Sequence, residues 1–386
     1  MVGCSAMVAL AQGGTGLLCQ APSSRFQLAG SLDRSTESDA PSPLATARAT
    51  HHAATTQSPT HPPPYFFGST MTVLLLLLAF ASIGGVLAFA SEAPQRNKIA
   101  LVSGGNKGVG KEIARRLGSD PDITCLIACR NVELGEKAAA DLRSDVTEDG
   151  VTCDVIALPI PFDLADKESI EACAKYVEDE FGALDILVNN AAICFNDPTL
   201  YGVLKEPVSF RDQADITIKT NYFGALVTTQ SFLPLLKKSP SPRIINVASA
   251  AGRLTILQSQ DLVDKFTSET LTIPELSELM EQFVADVQGG THSERGWPNT
   301  CYGVSKLGII ALTKILARQN PDMLCNSVDP GYCKTDQNNN QGVTDPSQGA
   351  YTPYLLAVME AESDEEGELV SGLHFYEEQE INWSYQ

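Results

Sequence analysis

The run Ser103-Gly104-Gly105-Asn106-Lys107-Gly108-Val109-Gly110 follows directly on the apolar stretch 98–103 and opens a stretch of helical periodicity over 108–117. Gly104, Gly108 and Gly110 give a G-x-x-x-G-x-G spacing at this strand-to-helix turn. Glycines are needed there for a tight turn and to let backbone N–H groups at the helix N-terminus approach a pyrophosphate. A lone glycine-rich loop says little; at the head of an alternating strand–helix domain it governs the reading of the whole domain.

Working outward, short apolar runs alternate with amphipathic ones. Strands are predicted at 98–103, 123–129, 151–158, 185–189, 243–248, 324–328 and 372–375. Helices are predicted at 108–117, 132–144, 167–181, 212–236 and 300–319. This alternation is what a parallel sheet with crossover helices requires. The expected fold is therefore α/β, a single doubly wound parallel seven-stranded Rossmann-type sheet over 97–386. The stretch 254–298 breaks the alternation and reads as a helical insert.

Composition removes several classes of function. The net charge is −20, with acid concentrated near 360–368 and 377–380, so a nucleic-acid binder with a basic face is disfavoured. Of five histidines, His51, His52 and His61 precede the domain, leaving only His292 and His374 within it. A serine hydrolase triad or a multi-histidine metal centre has too few histidines to draw on. Ten cysteines show no C-x-x-C pair, and Cys125 and Cys129 sit in an apolar run, so no metal site is expected.

An NAD site usually carries an acid about twenty residues beyond the glycines, at the end of the second strand, for the ribose 2′-hydroxyl. Here Cys129-Arg130 occupies that place. Arg130 and Lys107 are suited instead to a 2′-phosphate through charge-assisted hydrogen bonds, so NADPH/NADP is the expected cofactor. Tyr302 and Lys306 stand at i and i+4 and share one face of their helix. An adjacent ammonium favours the phenolate and brings a tyrosine nearer to useful proton transfer. Ser249 follows the buried strand 243–248 and falls at its C-terminal end, beside the crevice; Asn221 lies within the helix before it.

Together these residues resemble the short-chain dehydrogenase/reductase family. The likeness covers the cofactor loop 104–110, Asp163-Leu164, Asn189-Asn190-Ala191, the set Asn221, Ser249, Tyr302 and Lys306, and Pro330-Gly331 with Thr335. It is stronger still to the monomeric NADPH carbonyl reductases. There too a long insert separates the catalytic serine from the tyrosine, as it does between Ser249 and Tyr302. Leu279-Met280-Glu281-Gln282-Phe283-Val284, Gly296-Trp297-Pro298 and 266–272 are similar to segments of that branch.

The resemblance implies reduction of a small-molecule carbonyl compound, with Tyr302 as proton donor and Ser249 holding the carbonyl oxygen. Lys306 is then expected to lower the Tyr302 pKa and hold the ribose, and Asn221 to anchor a water. The cofactor is expected on Ser103, Gly104, Asn106, Lys107, Gly108, Val109, Gly110, Arg130, Asp163, Leu164, Asn190, Ala191, Tyr302, Lys306, Pro330, Gly331 and Thr335. The substrate pocket is expected to involve Ser249, Cys194, Phe195 and Tyr332, and the insert implies a monomer. Departures from the family pattern are Ala192 in place of glycine, Ser103 where threonine is commoner, and Tyr332 where tryptophan is frequent. They bear on substrate range, and none removes a catalytic group.

Before the domain the composition changes. Residues 1–70 are expected to form a disordered, low-complexity leader rich in Ser, Thr, Ala, Pro and His. The run 73–90, VLLLLLAFASIGGVLAFA, carries no charge and is at the lower limit of length for a membrane span. It ends in Ala88-Phe89-Ala90, an A-x-A pattern that a signal peptidase accepts, and Met71 stands just before it as an alternative start. The segment 71–92 is thus expected to be a cleaved signal or a membrane anchor, giving a membrane-associated or endomembrane location. A cytoplasmic location is the alternative. Two further functions stay open from sequence: a membrane-associated lipid, steroid or alcohol dehydrogenase, and a non-catalytic NADP(H)-binding sensor.

Overall fold

Lys98–Ser103 (β1) is apolar from Ile99 to Val102 and completely buried after its first residue, as befits a strand covered on both faces. Ile123–Ala128 (β2) is buried throughout and pairs with it in parallel, Ala100 opposite Cys125. In this computed structural model the described residues are 96–145, 150, 152–195, 208–363 and 369–383. The remaining strands are Val155–Ala157 (β3), Ile186–Asn189 (β4), Arg243–Val247 (β5), Leu324–Asp329 (β6), His374–Tyr376 (β7) and Gln379–Glu380 (β8). Their order in the sheet is β3-β2-β1-β4-β5-β6-β7-β8. Neighbours are parallel except β7 and β8, which are antiparallel.

The expected seven-stranded parallel sheet is therefore present, with an eighth strand added. β8 is two exposed residues, too short and too polar to stand out in the sequence. The strand expected over 151–158 narrows to three residues, and the one expected over 372–375 shifts to 374–376.

Helices Gly108–Gly118 (α1), Val132–Ser144 (α2) and Lys167–Phe181 (α3) occupy the predicted places. Side chains at their starts satisfy orphan N–H groups: Asn131 accepts from Leu134 and Asp166 from Ser169. The long helix expected over 212–236 is instead Phe210–Ile218 (α4), a π-helical turn Lys219–Phe223, and Gly224–Leu236 (α5). A π turn carries one extra residue without changing hydropathy, so a 3.6-residue period cannot announce it.

The insert folds as Gln260–Thr267 (α6) and Ile273–Gly289 (α7), the latter opened by a capping box of Thr272 and Glu275. Leu262, Phe266, Leu276, Met280, Phe283 and Trp297 bury into the same apolar cluster as Cys301–Gln319 (α8). The insert is thus part of the core on one face of the sheet. Pro346–Gly349 (α9) and Tyr351–Val358 (α10), not anticipated, cover the other face with α1, and Leu356 and Ala357 bury there beside Ile113 and Leu117.

The leader 1–70 and the apolar segment 71–92 lie outside the described residues. Among the described residues no helix is long and apolar enough to cross a membrane.

Candidate active site

The sheet reverses its order between β1 and β4, and a crevice opens at such a switch point beyond the strand ends. A cavity of about 730 Å³ is found there. One part of its wall is the glycine turn. Gly104 and Gly108 have φ of +68° and +56°, which side-chain-bearing residues rarely adopt. A Cβ at Gly110 would stand 2.4 Å from Asn190 Nδ2 and 2.5 Å from the Gly104 carbonyl oxygen, so only glycine permits this approach. α1 begins at Gly108 with no side-chain cap from Lys107, leaving its first N–H groups free to meet an anion.

Gly104, Asn106, Lys107, Gly108, Val109, Gly110, Arg130, Asp163, Leu164, Asn190, Ala191, Pro330, Gly331 and Thr335 all line this cavity, as the sequence suggested. Ser103 does not. Its buried hydroxyl donates to the Val188 carbonyl at 3.2 Å and accepts the N–H groups of Asn190 and Ala191 at 3.0 and 3.1 Å. It therefore pins the turn after β4 to the glycine turn from beneath. Lys107 pairs with Asp336 at 3.2 Å, both side chains well exposed.

Farther along the wall stand Ser249, Tyr302 and Lys306. Thr300 caps α8 by accepting the Gly303 N–H at 2.9 Å, which sets Tyr302 in the first turn. Ser249 and Gln337 are polar neighbours of the Tyr302 phenol and favour its charged form. Lys306, 3% exposed, donates to the Val247 carbonyl at 2.7 Å, and its Nζ lies 5.6 Å from the centre of the Tyr302 ring.

Burial dominates the titration of both groups. It lowers Lys306 to about 8, against the opposing fields of Cys194 and Asp329. It pushes Tyr302 above the ordinary tyrosine range, helped by Cys194 and Asp329 and resisted by Ser249 and Gln337. Burial of the phenol, the largest cause, thus acts in the opposite direction to the lowering expected from Lys306.

Asn221 is buried behind the wall. Its Oδ1 accepts the Ile193 N–H at 2.8 Å, while Nδ2 donates to the Ile193 carbonyl at 2.9 Å and to Ser305 Oγ at 3.0 Å. The π turn aims this side chain at the strand-end loop that leads to Cys194. Of the expected substrate-pocket residues, Cys194, Ser249 and Tyr332 line the cavity and Phe195 is not on its wall. The half-exposed Tyr332 stands at the rim.

Sequence reasoning passed over Asp329, Asp336 and Gln337, which also line the cavity. A charge ending the buried strand β6 was a usable signal for Asp329. Gln337 lies in the polar run Asp336-Gln337-Asn338-Asn339-Asn340, which has no period to single it out.

An open α/β sheet with a glycine cradle at its switch point, and Tyr302 and Lys306 one turn apart above the cleft, defines a dinucleotide-binding oxidoreductase class. The chain belongs to the short-chain dehydrogenase/reductase family. A model of that family, described as short chain dehydrogenase, matches residues 98–260. Over 283 residues the chain is 36% identical to carbonyl reductase (NADPH) 3 of Mus musculus, covering 71% of this chain and 96% of that protein. It is 35% identical over 273 residues to carbonyl reductase (NADPH) 1 of Homo sapiens, covering 69% and 92%. Among solved structures, salutaridine reductase from Papaver somniferum matches with a TM-score of 0.62 at 27% identity, over 72% of this chain and 99% of that one.

Proposed function

We propose that this protein reduces the carbonyl group of ketones, aldehydes or quinones with NADPH, Tyr302 giving the proton. The observation that carries the reading is the placement of Ser249, Tyr302 and Lys306 together on the wall of the cavity that also holds the glycine cradle. NADPH fits the residues present: the cradle excludes a Cβ at Gly110, and no acid stands at the end of β2. The glycine turn would hold the pyrophosphate, Arg130 with Lys107 the 2′-phosphate, Lys306 the ribose, and Thr335 the carboxamide. Bound there, the cofactor supplies the hydride that reduces the carbonyl carbon.

The remaining chemistry belongs to the chain. Ser249 donates to the carbonyl oxygen and stabilises its growing charge. Tyr302 transfers its phenolic proton to that oxygen. Lys306 supports the phenolate that remains, since an ammonium nearby favours the charged form. Asn221 fixes the loop leading to Cys194, its side-chain amide being taken up by Ile193 and Ser305. The packed insert supports a monomer, which sedimentation of the purified protein tests. N-terminal sequencing tests the segment 73–90; a start at Ser91 removes the anchor.

The test is loss of nicotinamide absorbance with menadione and a panel of small aldehydes, NADPH beside NADH. Turnover with NADPH alone is expected. Tyr302→Phe should lower kcat by about 10²- to 10⁴-fold with NADPH affinity retained. Equal turnover by Tyr302→Phe would remove Tyr302 as the proton donor.

A further inference from the structure

Asp329 ends β6 as a carboxylate only 5% exposed, in a sheet that has no need of a charge there. It makes two bonds outside the sheet. Oδ2 accepts the N–H of Ala250 at 2.9 Å, and Oδ1 accepts the N–H of Gly331 at 3.0 Å. Ala250 follows Ser249 directly. Gly331, at φ +78°, opens the loop that carries Tyr332, Thr335 and Gln337 along the cavity wall. One side chain thus ties together the backbones of two loops, one bearing Ser249 and one bearing Gln337, both on the cavity wall with Tyr302. Only a carboxylate offers two equivalent acceptors to two N–H donors; an amide offers one acceptor and one donor.

We infer that Asp329 is a positioning residue of this site, its carboxyl group clamping the Ser249 and Gly331 loops on the cavity wall that Lys306 shares. The inference rests on the reductase reading for its kinetic part only. The groups facing Lys306 are few. α8 itself presents Tyr302, the loop after β4 presents Cys194, and β6 presents Asp329. Burial raises both the phenol and the thiol, so they stay neutral near pH 7. β5 contributes the Val247 carbonyl, and Lys219 on the π turn is exposed. Burial raises Asp329 above the ordinary carboxylate value, and the two N–H donors, Arg253 and Lys306 oppose that rise by favouring the charged form. Cys194 and then Asp329 raise Lys306; of the four acids that line the cavity among the described residues, Glu112, Asp163, Asp329 and Asp336, only Asp329 does so.

The experiment is an NADPH fluorescence titration from neutral to alkaline pH on the full chain, with Asp329→Asn and Asp329→Ala beside it. Wild-type binding is expected to weaken as pH rises through about 8, where Lys306 loses its proton. In both variants the weakening should begin roughly half a pH unit lower or more, because a neighbouring opposite charge has gone. With menadione, kcat should fall about tenfold in Asp329→Asn and further in Asp329→Ala, which keeps neither acceptor. Thermal melting checks that each variant folds; should Asp329→Ala not fold, Asp329→Asn, of equal volume, decides. An unshifted binding curve, or an undiminished kcat, overturns the inference. Absence of turnover in the wild type would count against the reductase reading instead, and the binding curves would still report on Asp329.

Discussion

Arg130 carries the cofactor discrimination in this reading, because β2 ends without the acid that would take a ribose 2′-hydroxyl. A hydrogen bond to a charged group contributes about 1.5–3 kcal/mol, so Arg130→Ala should weaken NADPH binding roughly ten- to a hundredfold. NADH binding should stay nearly constant, as titration of each cofactor would reveal; parallel losses would sink the assignment. Lys107→Ala should cost less, since Lys107 is paired with Asp336 at 3.2 Å on the surface and must exchange that partner for phosphate. At this scale the sequence was informative where spacing alone places a group. Tyr302 and Lys306 share a helix face, and Ser249 ends a buried strand. Gln337 reaches the same cavity from the polar segment after β6, and nothing in such a segment's sequence tells which way its side chains turn.

The insert is the element with the largest consequence for stability. Trp297, 1% exposed, meets Phe283 edge-on at 5.4 Å and donates Nε1–H to Asp286 at 3.0 Å. The buried Asp286 is also held by Arg295 at 3.1 Å and Gln282 at 2.8 Å. Trp297→Ala should therefore destabilise the domain by about 3–5 kcal/mol, from the cavity and the lost donor together. Urea unfolding measures this directly; a loss below about 1 kcal/mol would show that the insert is not part of the core. The insert's existence was legible as a break in alternation, and its apolar positions marked it as helical. The π turn was not legible. It is stabilised by Asn221 reaching both backbone groups of Ile193, a residue twenty-eight positions earlier.

The domain as a whole should have a pH window set by buried neutral groups. Burial raises the thiols of Cys173, Cys301 and Cys325 to about 12, from an ordinary value of 9.0. The unfolded chain loses these protons first, so stability should fall as pH rises from about 9 towards 12. Lys306, lowered to about 8, acts in the opposite direction between that value and 10.5, but it is one group against several. Burial also lowers His374 to about 4, so the unfolded chain gains a proton first and stability should fall as pH drops from 6.5 to 4. A urea midpoint followed across pH in a reducing buffer should be highest between these limits. A midpoint that rises above pH 9 would contradict the dominance of the thiols.

By itself the sequence determined the doubly wound sheet, the glycine cradle at its first crossover, and the Tyr302–Lys306 pair, because each depends on a local period or spacing. Tertiary structure decided that Ser103 sits beneath the cradle and Asn221 behind the wall. It also decided that burial lifts Tyr302, and that Asp329 joins two loops. The reason is physical: burial, field and hydrogen-bond partners arise from segments far apart in the chain, and no local pattern encodes which of them will meet.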